Sequence, residues 1–149
     1  MGTTRPRTIA EIMSTDLITL NEEDNLRDLV DGMGRLQLRH LPVVDDDRLV
    51  GLITHRDVLR LTASALDPQG LTSDARILEE TFVHSVMRRD VQTVGPEARV
   101  IDAARTMTRL KLGCLPVVDE AGRLVGIVTE HDLLRFLVEE LSIQDGGDS

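Results

Sequence analysis

Apolar positions along the chain change their period several times, and each change marks an element. Leu26, Leu29, Val30, Met33 and Leu36 fall at i, i+3, i+4, i+7 and i+10. Val100, Ala103, Ala104, Met107 and Leu110 repeat that spacing. Each set predicts an amphipathic helix with one stripe turned to a core. Gly32 and Gly34 weaken the first helix by roughly 1 kcal/mol each relative to Ala, so packing has to hold it. After each helix come two β-branched runs, "LPVV" and "RLVGLIT" in the first case, around turn residues Asp45–Asp47. The second pair surrounds Asp119–Gly122. Both read as hairpins. A helix is predicted to open at Thr54 and again at Thr129. The segment "TIAEIM" predicts a short lead-in helix, with Thr8 and Glu11 at capping-box spacing.

These elements recur because the chain repeats itself. "HLPVVDDDRLVGLITHRDVLR" from His40 matches "CLPVVDEAGRLVGIVTEHDLLR" from Cys114. The second copy carries one extra residue in its turn, where a hairpin tolerates it. Met13, Asp16 and Thr19 match Met87, Asp90 and Thr93. The predicted organisation is a first repeat over 8–66, a linker over 67–81, a second repeat over 82–141 and a frayed polar tail over 142–149. Within the linker, Asp67–Gly70 ("DPQG") reads as a turn and "SDARILEET" as a connecting helix. One such unit has too little chain to cover its own sheet. The expectation is an α+β fold of tandem repeats packed as a pseudo-twofold pair, with clefts where they meet.

Composition narrows the function. The 149 residues include two Phe and no Trp or Tyr, so the core is aliphatic and no aromatic platform for single-stranded nucleic acid exists. The net charge of −9 argues against general nucleic-acid binding, though not against a local anion pocket. The lone cysteine, Cys114, forms no intramolecular disulfide, which suits a reducing compartment. No apolar run approaches the ~20 residues of a membrane span, and Met1–Ile12 lacks a signal-peptide pattern. A cytoplasmic, non-membrane protein is expected.

Each hairpin runs into G-h-h-T-x-x-D, "GLITHRD" at Gly51–Asp57 and "GIVTEHD" at Gly126–Asp132. With the preceding "PVVD" and the matched upstream helices, this resembles a cystathionine-β-synthase (CBS) domain pair, or Bateman module, over about Thr8 to Leu137. The resemblance implies β-α-β-β-α units, often a homodimer of pairs, and clefts that bind AMP, ADP, ATP or S-adenosylmethionine to regulate a partner protein. The repeats occupy nearly the whole chain, which leaves no room for a catalytic barrel.

By resemblance, Asp57 and Asp132 would bind ribose hydroxyls, and Thr54 and Thr129 a phosphate. The residues themselves allow a plainer reading, in which T-x-x-D only caps a helix. The two coexist in sequence, since a helix N-terminus also holds anions. Arg56 adds positive charge in the first motif, whereas Glu130 and His131 occupy the second, so the first is expected to tolerate more phosphate. The resemblance builds the adenine slot from Ile12, Val86, Leu17, Val91, Leu41–Pro42 and Leu115–Pro116, each of which is equally a core residue. His40 and Cys114 open the adjacent strands and complete the candidate set. Gly113 allows close ligand approach before the second hairpin, whereas Arg39, its counterpart, either reaches a phosphate or fills the cleft.

The four histidines lack paired zinc-ligand spacing, no nucleophile–base constellation stands out, and no P-loop is present. No catalytic residue, metal or catalytic cofactor is expected. The leading reading is a nucleotide-sensing regulatory module. The alternative is a ligand-free dimerisation or interaction module whose motifs only cap helices.

Overall fold

The computed structural model describes residues 7–36, 38–65 and 78–146. In order, the elements are α1 (Ile9–Ile12), α2 (Leu26–Leu36), β1 (His40–Asp45), β2 (Arg48–Thr54), α3 (His55–Ala65), α4 (Val83–Val86), α5 (Val100–Leu110), β3 (Cys114–Val118), β4 (Leu124–Thr129) and α6 (Glu130–Gly146). The Asp67–Gly70 turn and most of the connecting helix lie outside the described residues, and helical backbone is described at 78–80.

The chain forms two compact units. One is continuous, Ile18–Val91; the other is discontinuous, joining Met1–Leu17 to Gln92–Ser149. The lead-in helix of each sequence repeat therefore packs with the hairpin of the other repeat. Backbone hydrogen bonds show how. The long helix α5 starts with no side-chain cap at Arg99. Its first N–H, from Val100, donates instead to the Arg7 carbonyl, and the Ile9 N–H donates to the Ala98 carbonyl. The continuous unit repeats the arrangement, with Leu26 N–H on Thr81 and Val83 N–H on Asp24. Orphan donors at a helix start are thus satisfied by a segment distant in sequence.

The predicted helical stripes face these cores. Leu26, Leu29 and Met33 are buried with Leu41, Val43, Ile53 and Val83 in the continuous unit. Val100, Ala103 and Met107 are buried with Ile9, Leu115, Val117 and Val128 in the discontinuous one. Leu110, at the end of the second stripe, is exposed. The buried members of these clusters are aliphatic residues and methionine, with Phe136 packed at the edge of the second.

Each hairpin is antiparallel, with a register shift after Val43 and after Val117. The first turn places both Asp46 and Asp47 at positive φ, 51° and 68°, the geometry that suits a two-residue hairpin loop. The longer second turn is absorbed by Gly122 at φ 82°. There the Asp119 carboxylate accepts the Ala121 and Arg123 N–H groups. The short strand expected before each long helix is reduced to one parallel bridge, Leu20 to Val43 and Val94 to Val117. On the opposite edge, Arg88 bridges Leu52 and Ser14 bridges Ile127, both antiparallel. Each two-stranded sheet is thereby bridged at one position on each edge, which shortens the run of unpaired backbone it presents.

Two local expectations are corrected. Thr8 makes no side-chain cap on α1. Its backbone pairs with Arg99, while the Glu11 carboxylate that was to complete the box takes Arg7 at 2.6 Å. At the other end, α6 runs past Ser142, where the sequence turns polar, to Gly146.

Candidate functional site

Both T-x-x-D segments stand at the start of a helix, and both form a reciprocal box. In the continuous unit, the Thr54 N–H and hydroxyl donate to Asp57 Oδ2 at 3.1 and 2.9 Å. The Asp57 N–H returns to Thr54 Oγ1 at 3.3 Å. In the discontinuous unit, Thr129 N–H and hydroxyl donate to Asp132 Oδ2 at 2.9 and 3.1 Å, and Asp132 N–H donates to Thr129 Oγ1 at 3.3 Å. The capping role is therefore realised in both repeats. Asp stands where the box usually has Glu, and its Oδ2 reaches the N–H of the threonine three residues back.

The second carboxylate oxygen distinguishes the two sites. Asp57 Oδ1 accepts Arg88 Nη2 at 2.9 Å, and Arg88 Nε lies 3.2 Å from both oxygens. Asp132 Oδ1 accepts Arg135 Nη2 at 2.9 Å and the Ser14 hydroxyl at 3.4 Å. Ser14 and Arg88 are repeat equivalents, each following the methionine of a lead-in segment. The arginine on the carboxylate thus comes from the lead-in in one unit and from the motif's own helix in the other. In both units the carboxylate is covered and its arginine is not. Side-chain exposure is 12% for Asp57 against 55% for Arg88, and 4% for Asp132 against 54% for Arg135.

The motif glycines explain how the lead-in segments come so close. A Cβ on Gly51 would lie 2.5 Å from Met87 Sδ and 3.1 Å from the Arg88 carbonyl oxygen. One on Gly126 would lie 2.5 Å from Met13 Sδ and 3.1 Å from the Ser14 carbonyl oxygen. Absence of a side chain lets the lead-in backbone pair with the strand, and that pairing delivers Arg88 or Ser14 to the carboxylate.

Partial burial of Asp57 opposes its ionisation, but the hydrogen bonds from Arg88 and from the Thr54 N–H and hydroxyl, with the charge of Arg88, outweigh it. Its pKa is lowered from the ordinary 3.8. A lowered native pKa contributes stability that is present above the unfolded value and lost as pH falls through the native one. The stability advantage of the wild type over Asp57→Asn is therefore expected to stay level above about pH 5 and to shrink as the acid range is entered. Urea titrations of both proteins at several pH values check this; an advantage that grows on acidification would contradict it.

The other candidate residues divide between the units. Leu41 and Pro42 are buried in β1, His40 and Val91 are half-buried, and Arg39 and Arg56 are exposed. Val86 packs against the same core. In the discontinuous unit, Cys114, Leu115 and Pro116 are buried, Leu17 and Gly113 are half-buried, and His131 is exposed. Ile12 packs against that core. Arg39 and Gly113 play one shared backbone role: their carbonyls accept the first N–H of the following helix, from His55 and Glu130. Burial, with the negative charge of Glu130, pushes the Cys114 thiol up to about 12, so it is a protonated, unreactive core group. Arg88, Arg135, Ser14 and the motif glycines' packing role are what sequence reasoning missed. Arg135 sits three residues after Asp132 and was visible as a helical neighbour; Arg88 required the tertiary pairing.

Comparison with known proteins supplies the family. The CBS domain model matches twice, over residues 9–64 and 83–139. The chain belongs to the CBS domain family. It is 34% identical over 134 residues to a CBS domain-containing protein of Dictyostelium discoideum, covering 89% of this chain and 92% of that one. Other curated relatives are longer. The chain spans 24% of a homoserine O-acetyltransferase of Methanococcoides burtonii and 22% of an inosine-5′-monophosphate dehydrogenase of Korarchaeum cryptofilum. Among solved structures, it resembles the CBS-pair protein CBSX2 of Arabidopsis thaliana, whose complex with AMP gives a TM-score of 0.75 at 26% identity, covering 89% of this chain and 96% of that one. The CBS domain pair of protein MJ0100, in complex with 5′-methylthioadenosine and S-adenosylmethionine, gives 0.73 at 26% identity, covering 91% and 98%. No described helix is long and apolar enough to cross a membrane.

Proposed function

We propose that this CBS pair is a non-catalytic, cytoplasmic sensor that binds an adenosine-containing ligand at its T-x-x-D sites and passes occupancy to a regulated partner protein. One observation carries the reading. Each unit holds a carboxylate at a helix N-terminus whose outward oxygen is paired with a half-exposed arginine, joined in the discontinuous unit by the Ser14 hydroxyl. The arginine is reachable from solvent while the carboxylate is covered, so the arginine leaves readily only where an incoming donor takes its place on the carboxylate. A ribose diol could then donate to the carboxylate, and the helix N-terminus favours a phosphate. AMP, ADP, ATP and S-adenosylmethionine all present that diol, and relatives hold AMP or S-adenosylmethionine. The slot for adenine is expected among the aliphatic residues named above, relying on shape and backbone hydrogen bonds.

Charge favours phosphate at the first motif. Arg56 and Arg88 stand at it, whereas the second sets one arginine, Arg135, beside the exposed carboxylate of Glu130. A ligand can bias the protein's conformations only by binding them differently. A homodimer fits the same reading: Leu134, Leu137, Val138 and Leu141 expose an apolar row along α6 that a second copy would cover.

Calorimetry with AMP, ADP, ATP and S-adenosylmethionine tests the proposal. Submillimolar binding is expected for at least one, with a loss of about 10-fold or more when a ribose-binding carboxylate is removed. Asp57→Ala should weaken ADP and ATP more than Asp132→Ala does. Equal losses would end the asymmetry. No binding by the folded wild type below millimolar concentration would leave the ligand-free interaction module as the function.

A further inference from the structure

We propose that Arg88 couples ribose occupancy to phosphate charge in the continuous unit: it is the counter-ion of Asp57 in the free chain and turns to the ligand's phosphate when a ribose takes the carboxylate. The inference rests on the nucleotide reading above and adds to it a residue that discriminates among adenosine ligands.

Acceptor capacity is the first argument. Asp57 Oδ2 already receives two donors from Thr54. Arg88 occupies Oδ1 and shares Oδ2. A carboxylate has about four acceptor positions, so a ribose diol enters only where Arg88 leaves. The second argument is anchorage. The Arg88 N–H donates to the Leu52 carbonyl at 2.9 Å, and the Leu52 N–H donates back at 3.0 Å. Its Cα is fixed beside the motif while its side chain is half exposed. The guanidinium is held at its root and free to re-aim at its tip.

The third argument is chemical. A guanidinium fork matches a carboxylate and a phosphate with the same paired N–H geometry. A nucleotide therefore replaces the partner it displaces. Adenosine, which has the diol and no phosphate, displaces Arg88 and offers it nothing. The helix start at Thr54 lies directly on the motif, so a phosphate held there is within the neighbourhood of a side chain already touching Asp57. The other unit lacks this device. Ser14 stands at the equivalent position with no charge to transfer. Arg135 lies a further turn along α6, away from the helix start.

The experiment measures adenosine and AMP affinities of the full chain by calorimetry for the wild type, Arg88→Ser, Arg88→Lys and Asp57→Asn. Arg88→Ser carries the residue found at the equivalent position, and far-UV circular dichroism melting confirms that it folds. The expected result is a loss of AMP affinity on the order of 10-fold or more, with adenosine affinity equal or higher. Arg88→Lys should recover part of the AMP affinity. A merely structural Arg88 would weaken both ligands alike, and that outcome overturns the proposal, as does an unchanged AMP-to-adenosine ratio. If Asp57→Asn alters neither affinity while the wild type binds AMP, the nucleotide reading survives and this inference falls. If the wild type binds neither ligand, both fall.

Discussion

Replacing Ile9 by Ala is expected to destabilise the discontinuous unit by about 2–5 kcal/mol, the range for truncating a well-packed aliphatic side chain. Ile9 lies near the start of the sequence, in a four-residue helix that has no stability of its own. Its side chain is nonetheless 0% exposed and sits in the core with Val100, Met107, Leu115, Val117 and Val128. The segment is held on either side of that contact. Arg7 bonds Glu140 at 3.0 Å and lies over the Phe136 ring, and the Ile9 N–H reaches Ala98. Because α1 closes the start of α5, a cavity at Ile9 loosens both. Urea unfolding followed by far-UV circular dichroism measures the loss. Ile12→Ala, at a half-buried position in the same helix, should cost less. An Ile9→Ala protein as stable as the wild type would show that the lead-in is an appendage and not part of the core.

Gly126→Val should cost about 1–3 kcal/mol or more, as overpacking does, and should act through the lead-in rather than through the strand that carries it. Valine suits a strand intrinsically, so propensity alone favours the substitution. Space opposes it. Met13 Sδ at 2.5 Å is the end of a flexible side chain and can move, but the Ser14 carbonyl at 3.1 Å is backbone. That carbonyl accepts the Ile127 N–H at 3.0 Å, so moving it breaks the pairing that brings Ser14 to Asp132. Gly51→Val should do the same to Met87 and Arg88, and with them to the ion pair on Asp57. Thermal melts compare each variant with Gly→Ala at the same position. Stabilisation by Val at either glycine would overturn this account.

Much of this architecture was legible in the chain. Period 3.6 in Leu26–Leu36 and Val100–Leu110, and β-branched runs around Asp-rich turns, report burial on one face. Burial is a property that each residue type expresses locally. The T-x-x-D boxes were legible for the same reason, since their hydrogen bonds span three residues. Thr8 and Glu11 show the limit of that reasoning. The spacing was right, but Arg7 took the carboxylate and Arg99 took the backbone.

Arg88 lay beyond such reading. Next to Arg89 in sequence it resembles any surface cation, and only a contact with a residue 31 positions away gives it a role. The glycines of G-h-h-T-x-x-D were recognisable as letters of a motif, yet the chain offered no reason for them. The chain alone determined its helices, hairpins, caps, aliphatic cores and twofold repetition, because these follow from neighbours and periodicity. Which lead-in segment packs on which hairpin, and which charge therefore covers each carboxylate, was decided in three dimensions. Those outcomes depend on steric fit and backbone pairing between segments far apart in the chain, where periodicity carries no information.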